Sequence, residues 1–209
     1  VKGSPVEFRA AKEVVLSGGA VNSPHLLQVS GIGPVDHLKS VDLPQVHELP
    51  GVGANLQDHY VVRVAHRLQR GVETINQLSR GVRVVREAIR WALRGDGALT
   101  FGVTSAQVFC RSREGLASPD LQLLFTPASY DQSRFGVFER EPGASVAVCP
   151  VRPQSRGTIM AASSDPLQAP AIRPNYLSER EDYRVLKAGV DLARKIFAQE
   201  PIASVSEGE

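Results

Sequence analysis

Residues 19–33 read GAVNSPHLLQVSGIG, and they constrain the fold more than any other stretch of this 209-residue chain. Gly18 and Gly19 are adjacent glycines, which permit positive φ angles and leave the main chain open to another molecule. Ser23 followed by Pro24 indicates the start of a helix, because serine is a good N-cap and proline fits the first helical position. The stretch therefore predicts a helix that begins right after the glycines.

A buried strand is predicted immediately before the glycine pair. Residues 13–16 read EVVL, an apolar and β-branched run that is typical of a strand covered on both sides in a parallel sheet. The first N–H groups of the helix that follows are unpaired and the helix dipole is positive there, so the turn at residues 18–23 favours a phosphate or another anion. A purely structural strand-to-helix turn is the alternative that these residues leave open.

From about residue 60 the pattern changes. Apolar residues recur every three or four positions over residues 75–93, which predicts one amphipathic helix that ends near Gly95 and carries arginines on its solvated face. Short strand-like runs between loops rich in proline, serine and glycine then indicate an antiparallel sheet. These runs are residues 106–111, 121–126, 145–149 and 158–162. Ser178 and Glu181 have the spacing of a capping box, ahead of a second amphipathic helix that we expect to pack on the sheet.

Composition and charge narrow the class of protein. A formal net charge of +2 is too small to indicate a nucleic-acid partner. No apolar run approaches the ~18 residues that a membrane span requires. Cys110 and Cys149 have apolar, strand-like surroundings, so buried thiols and a reducing, cytoplasmic location are predicted. Neither the cysteines nor the histidines have metal-ligand spacing, and no metal site is assigned.

Four motifs, in the same order, resemble the signatures of the GMC (glucose-methanol-choline) oxidoreductases. The first is the stretch at residues 19–33. The others are LPGVGANLQDH at 49–59, PDLQ at 119–122 and RPQSRG at 152–157, which continues through SDP at 164–166 and PAIRPNYL at 170–177 into a helix. On these motifs the chain is identified as a member of this family of FAD-dependent enzymes, similar to its choline and alcohol dehydrogenases.

The resemblance implies an α+β fold with two domains. The tail of an FAD-binding α/β domain, residues 1–59, is expected to precede an incomplete substrate-binding domain, residues 60–209, with an antiparallel sheet and flanking helices. FAD is the implied cofactor. The residues implied to bind it are Ser17, Gly18, Gly19, Ala20 and Ser23. Gln122 and Phe125 are the candidates for binding a small alcohol substrate, and they lie on opposite faces of their strand because side chains alternate.

Two segments that the family uses are not found in this sequence. One is the GxGxxG turn that holds the FAD pyrophosphate, and the other is the HP-containing motif with the catalytic histidine. The chain is therefore expected to be an internal fragment, and no catalytic residue is assigned in it. For the complete protein the resemblance implies alcohol oxidation, in which a histidine removes the hydroxyl proton while a hydride passes to flavin N5.

Alternatives to this function stay open. A family member can keep FAD for its structure while a histidine handles cyanohydrin cleavage, as in a hydroxynitrile lyase, or the chain can be a stand-alone, non-catalytic module. Choline-oxidising members tend to carry a carboxylate where Ser105 or Gln107 stands here, so a neutral primary alcohol or polyol is favoured over choline. The electron acceptor does not follow from these residues.

Overall fold

The computed structural model describes residues 6–102, 104–131, 133–134 and 136–209. Its helices are α1 (Gly19–Val29), α2 (Val35–Ser40), α3 (Ile75–Leu78), α4 (Gly81–Arg94) and α5 (Arg180–Phe197). Its strands are β1 (Ile32–Gly33), β2 (His47–Glu48), β3 (Val62–Leu68), β4 (Ala106–Cys110), β5 (Leu121–Thr126), β6 (Gly143–Pro150), β7 (Thr158–Met160), β8 (Ala171–Arg173) and β9 (Ser206–Gly208).

The chain divides into two compact units. The first unit combines the residues up to 57 with residues 156–175, and the second combines residues 58–155 with residues 176–209. The predicted FAD-binding and substrate-binding domains, residues 1–59 and 60–209, are a division by function, and that division stays a prediction.

Helix α1 and the hairpin of β7 and β8 are held together in the first unit by one buried side chain. Gln28 lies on α1 and donates from Nε2 to the carbonyl oxygen of Ile159 at 3.0 Å. Its Oε1 accepts the N–H of Ala161 at 2.7 Å. Both polar atoms of a buried amide are therefore paired, as burial requires.

The loop of the second motif contacts β7 through its main chain. The N–H of Ile159 donates to the carbonyl oxygen of Gly53 at 2.7 Å, and Leu56 and Gly157 bond to each other at 2.9 and 2.8 Å. Gly53 has a φ of +80°, and a Cβ there would lie 2.2 Å from the carbonyl oxygen of Ile159. Position 53 therefore accepts only glycine.

Two expectations for the start of the first unit are wrong. Residues 13–16 form no strand, and Val14 and Val15 are 75% and 76% exposed. A parallel strand needs neighbours that pair with its N–H and C=O groups, and no described residue supplies them. Helix α1 begins at Gly19 rather than after Ser23, so Pro24 lies inside it and removes one hydrogen bond.

The second unit confirms the predicted antiparallel sheet with a long helix packed on it. Its five strands have the order β4-β5-β6-β3-β9, and α5 contacts β3, β5 and β6. Predicted strands 106–111, 121–126 and 145–149 correspond to β4, β5 and β6. The core between sheet and helix contains Val64, Leu68, Leu121, Leu123, Ala144, Val146, Val148, Val185, Leu186, Ala193 and Phe197.

One of the predicted strands does not belong to this sheet. Residues 158–160 form β7, which pairs with β8 in the first unit, with Ile159 opposite Ile172. Strand propensity identifies an extended segment but not its partner, because pairing depends on what the rest of the fold brings alongside.

The predicted single helix over residues 75–93 is two helices, α3 and α4, and its end at Gly95 is confirmed. Arg80 is extended between them, and its guanidinium donates to the carbonyl oxygens of Phe138 and Glu139. The apolar stripe of α4 is exposed, with its largest exposed fractions at Val82 and Leu93.

The predicted capping box at Ser178 and Glu181 does not form. The N-cap of α5 is Glu179, and Glu181 pairs with Arg113 at 2.7 Å and with Arg184 at 2.9 Å. Two cationic partners compete for the carboxylate that a capping box would direct toward the backbone.

Candidate functional site

An open cleft of about 520 Å³ lies at the beginning of α1 in the first unit. Of the five residues predicted to bind a cofactor, Ser17, Gly18 and Ser23 line it. Gly19 and Ala20 form the adjacent first turn of α1 and are not part of the lining. The structure thus brings the predicted residues to one place, although the strand predicted ahead of them does not form.

The main chain at Gly19 is bare. Its φ is +78°, and a Cβ built there would meet nothing within 4 Å. The first turn of α1 carries no acidic residue, so no carboxylate of that turn competes for its N–H groups. These features fit a phosphate-bearing group at the helix start, because the helix dipole and the free N–H groups attract an anion there.

The cleft has an apolar margin in addition to its polar turn. Val15, Leu16 and Leu26 line it, and all three side chains are exposed. A ligand that combines a charged part with a flat apolar part could use both kinds of surface.

His25 is a polar residue of this cleft to which sequence reasoning gave no role. It is 9% exposed and lines the cleft from the second turn of α1. Within the described part of the chain, its Nε2 is a buried nitrogen without a hydrogen-bond partner. No local pattern marks this position, because burial of the ring depends on the tertiary packing around α1.

The two predicted substrate residues lie on opposite faces of β5. Gln122 stands opposite Phe109 and Cys149 in the sheet, on the face away from α5. Phe109 is half exposed there. Phe125 packs against the core between the sheet and α5. The structure therefore does not bring Gln122 and Phe125 together on one surface.

Asp58 and His59 fix their own loop and do not form an acid–base pair. The N–H of His59 donates to the Asp58 carboxylate at 2.9 Å, while its ring Nε2 bonds to the carbonyl oxygen of Val151 at 3.0 Å. The hydroxyl of Tyr176 donates to the other oxygen of Asp58, and this hydrogen bond raises the pKa of Tyr176.

Asp182 is a second residue that sequence reasoning missed. Its buried carboxylate accepts the N–H of Gln154 at 2.6 Å, the N–H of Ser155 at 2.8 Å and the Ser155 hydroxyl at 2.5 Å. Gln154 and Ser155 are thus held by a residue of α5. Their partner is 27 or 28 residues away in sequence, so no local pattern reveals it.

The two cysteines of the chain lie in the second unit. Cys110 and Cys149 are free, and burial raises the pKa of both. In the described ranges, no group of three His, Cys, Asp or Glu side chains could hold a metal ion. None of the helices in those ranges has the length and apolarity needed to traverse a bilayer.

Comparison with protein families shows two matches. One model described as GMC oxidoreductase matches residues 2–61, and a second with the same description matches residues 153–209. Together the two models cover more than half of the chain. They include the cleft at α1, the loop of the second motif, and β7, β8 and α5.

The curated relatives of this chain include proteins named choline dehydrogenases. A "Choline dehydrogenase, mitochondrial" of Homo sapiens is 40% identical over 197 residues, covering 93% of this chain and 32% of that protein. An "Oxygen-dependent choline dehydrogenase" of Pseudomonas putida (strain GB-1) is 39% identical over 196 residues, covering 93% of this chain and 34% of that protein. The chain thus spans about one third of the length of the relatives it matches.

Solved structures agree with the family. A crystal structure of formate oxidase matches with a TM-score of 0.82 and 25% identity, covering 96% of this chain and 39% of that one. An FAD-dependent oxidoreductase from Chaetomium thermophilum has the same fold, with a TM-score of 0.81 and 20% identity over 99% of this chain and 41% of its own.

Proposed function

The chain belongs to the GMC oxidoreductase family, and on that premise we propose that it is part of an FAD-dependent enzyme that oxidises the CH–OH group of a small alcohol. The observation that carries the proposal is the cleft at α1. The family's first motif places bare main chain at Gly19 and an anion-accepting helix start beside an apolar margin.

We propose that Ser17, Gly18, Gly19, Ala20 and Ser23 hold part of FAD. The N–H groups of the first turn would donate to its oxygens, and the Ser17 and Ser23 hydroxyls line the same cleft. When bound, FAD would supply the hydride acceptor for alcohol oxidation. We assign no proton-transfer step to a residue of this chain.

For the substrate, we propose that Gln122 acts from the face of β5 that lies away from α5. Its amide can donate to and accept from a hydroxyl group, and half-exposed Phe109 stands opposite it in the sheet. Phe125 would hold β5 in position from the opposite face, where it packs against the core between the sheet and α5. On this proposal Gln122→Leu raises KM for the alcohol in the complete protein, and an unchanged KM contradicts the assignment.

Two observations bear on which alcohol is oxidised. The curated relatives include proteins named choline dehydrogenases, which favours choline. Ser105 and Gln107 are neutral where choline-oxidising members tend to carry a carboxylate, which favours a neutral primary alcohol. Choline carries a quaternary ammonium ion, which would bind less tightly in a site without a carboxylate than in a site with one. A KM for choline well above the KM for a neutral primary alcohol would therefore favour the neutral alcohol as the substrate.

The decisive experiment uses the complete protein, expressed from its whole gene with its flavin. Choline, a neutral primary alcohol and a cyanohydrin are added in separate anaerobic samples, and flavin absorbance and free cyanide are followed. Bleaching of the flavin by an alcohol supports the proposal. Cyanide release without bleaching would favour the hydroxynitrile lyase alternative, and purification without flavin overturns the proposal.

The location in the cell stays a proposal as well. We propose a reducing, cytoplasmic compartment, supported by two free thiols. The name of the Homo sapiens relative places that protein in mitochondria. Fractionation of cells that carry a tagged, complete gene distinguishes the two locations.

A further inference from the structure

His25 differs from two nearby side chains, the buried amide of Gln28 and the partly buried imidazole of His37, in having an unpaired nitrogen. Gln28, one turn further along the helix, has both amide atoms paired. His37, on α2, bonds through Nε2 to the carbonyl oxygen of Ala161 at 3.0 Å. Nε2 of His25 is buried and has no partner among the described residues. A buried polar atom without a partner destabilises a fold, so its retention at position 25 calls for a physical reason.

His25 lines the same cleft as Ser17, Gly18 and Ser23. An imidazole can donate or accept a hydrogen bond, according to its tautomer, and it can therefore pair with the hydroxyl or phosphate oxygens of a nucleotide. The bare main chain at Gly19 and the unpaired N–H groups of the helix start provide further donors on the same side of α1.

We propose that His25 is a ligand-binding residue of this cleft, whose Nε2 hydrogen-bonds to a ribose or phosphate oxygen of the bound dinucleotide. This inference rests on the proposed function, which supplies FAD as the ligand. Nε2 is shielded by atoms of the chain itself, so the ring turns toward the cleft through its side-chain torsions when the ligand binds. The bound ligand then supplies the hydrogen-bond partner that Nε2 of His25 does not have among the described residues.

The test measures FAD affinity and apoprotein stability on the complete protein. His25→Leu keeps an apolar group of similar size and removes the hydrogen bond. We expect it to weaken FAD binding about threefold to tenfold, the effect of one hydrogen bond, in a fluorescence-quenching titration of the apoprotein. The melting temperature of the apoprotein should stay the same or rise, because an unpaired buried nitrogen is gone. His25→Gln should recover part of the affinity, since its amide can again pair with an oxygen.

His37→Leu is the matched control, because it removes a histidine that already has a partner in the fold. It should lower the melting temperature of the apoprotein and leave FAD affinity unchanged. Wild-type affinity in His25→Leu overturns the inference while the proposed function stands. Weaker binding together with a loss of stability as large as that of His37→Leu assigns His25 a structural role and also overturns it. A wild-type protein that binds no FAD overturns both proposals.

Discussion

Gly53 and Gly51 both belong to the second motif, but only Gly53 has surroundings that exclude a larger side chain. Gly53→Ala places a Cβ 2.2 Å from the carbonyl oxygen of Ile159 and 2.4 Å from Nε2 of Gln28, at a φ of +80°. We expect a loss of about 2–4 kcal/mol in the free energy of unfolding, measured by urea denaturation. Gly51→Ala is the control, since its Cβ would meet nothing within 4 Å and its expected effect is below about 0.5 kcal/mol. Equal losses would contradict this account of the loop.

His66 predicts a pH dependence of stability. Its ring stacks on Phe197 with centroids 4.0 Å apart and bonds through Nδ1 to the Ser206 hydroxyl. Burial lowers its pKa below the ordinary 6.5, and nearby Arg194 lowers it further while Glu209 opposes the shift. Just below pH 6.5 the unfolded chain therefore binds more protons than the folded chain. The stability contributed by neutral His66 is complete above pH 6.5 and is lost as the pH falls from 6.5 through the lowered pKa of the folded state.

His66→Gln should flatten this part of the profile. The measurement is the free energy of unfolding between about pH 5 and 7.5 for the wild type and the variant. A variant slope as steep as that of the wild type would mean that another group carries the dependence.

At the scale of elements, the buried carboxylate of Asp182 on α5 bonds to the segment before β7. Asp182→Asn replaces an oxygen that accepts N–H groups with an amide that donates, which leaves buried donors facing each other. We expect a loss of about 2–4 kcal/mol in the free energy of unfolding. Asp191→Asn on the same helix is the control, because its pair with Lys187 is exposed and screened by solvent, so its loss should lower stability much less than the loss of the Asp182 carboxylate. Thermal and urea unfolding of both variants decide the matter.

Helix α4 shows why a periodic pattern does not determine which face of a helix is covered. The apolar stripe of α4 is present as predicted, yet Val82 and Leu93 are exposed, whereas Glu87 on the polar side is buried and accepts the N–H of Ala98 at 2.9 Å. Spacing reveals amphipathicity, but the covered face depends on what packs against it. In this structure the turn at residues 97–100 packs against the polar side of α4.

For the whole molecule, FAD should stabilise the complete protein by mass action. At a free concentration one hundred times Kd, the expected gain is about 2.7 kcal/mol, seen as a higher melting temperature. Gly19→Val should diminish this gain, because branched bulk would stand where the main chain is now open.

Gly115→Val separates backbone strain from loss of binding. Gly115 has a φ of +80°, close to the +78° of Gly19, and its Cβ would also meet nothing within 4 Å. Both variants should therefore lower apoprotein stability, while only Gly19→Val lowers the gain from FAD. A full FAD gain in Gly19→Val would show that the helix start is not part of the cofactor site.

The sequence by itself determined the family, the antiparallel sheet with α5 packed on it, the end of α4 at Gly95 and the place of the cleft at the glycine pair. The family follows from four motifs in order along the chain, whereas the strands, the helices and the glycine turn follow from side-chain alternation, helical spacing and the freedom of glycine between near neighbours. Only the tertiary structure decided that residues 13–16 form no strand and that β7 pairs with β8. It also decided that Gln28 and Asp182 are buried with hydrogen-bond partners, whereas Nε2 of His25 is buried and has none among the described residues. Pairing and burial depend on groups that are distant in sequence, and no local pattern contains them.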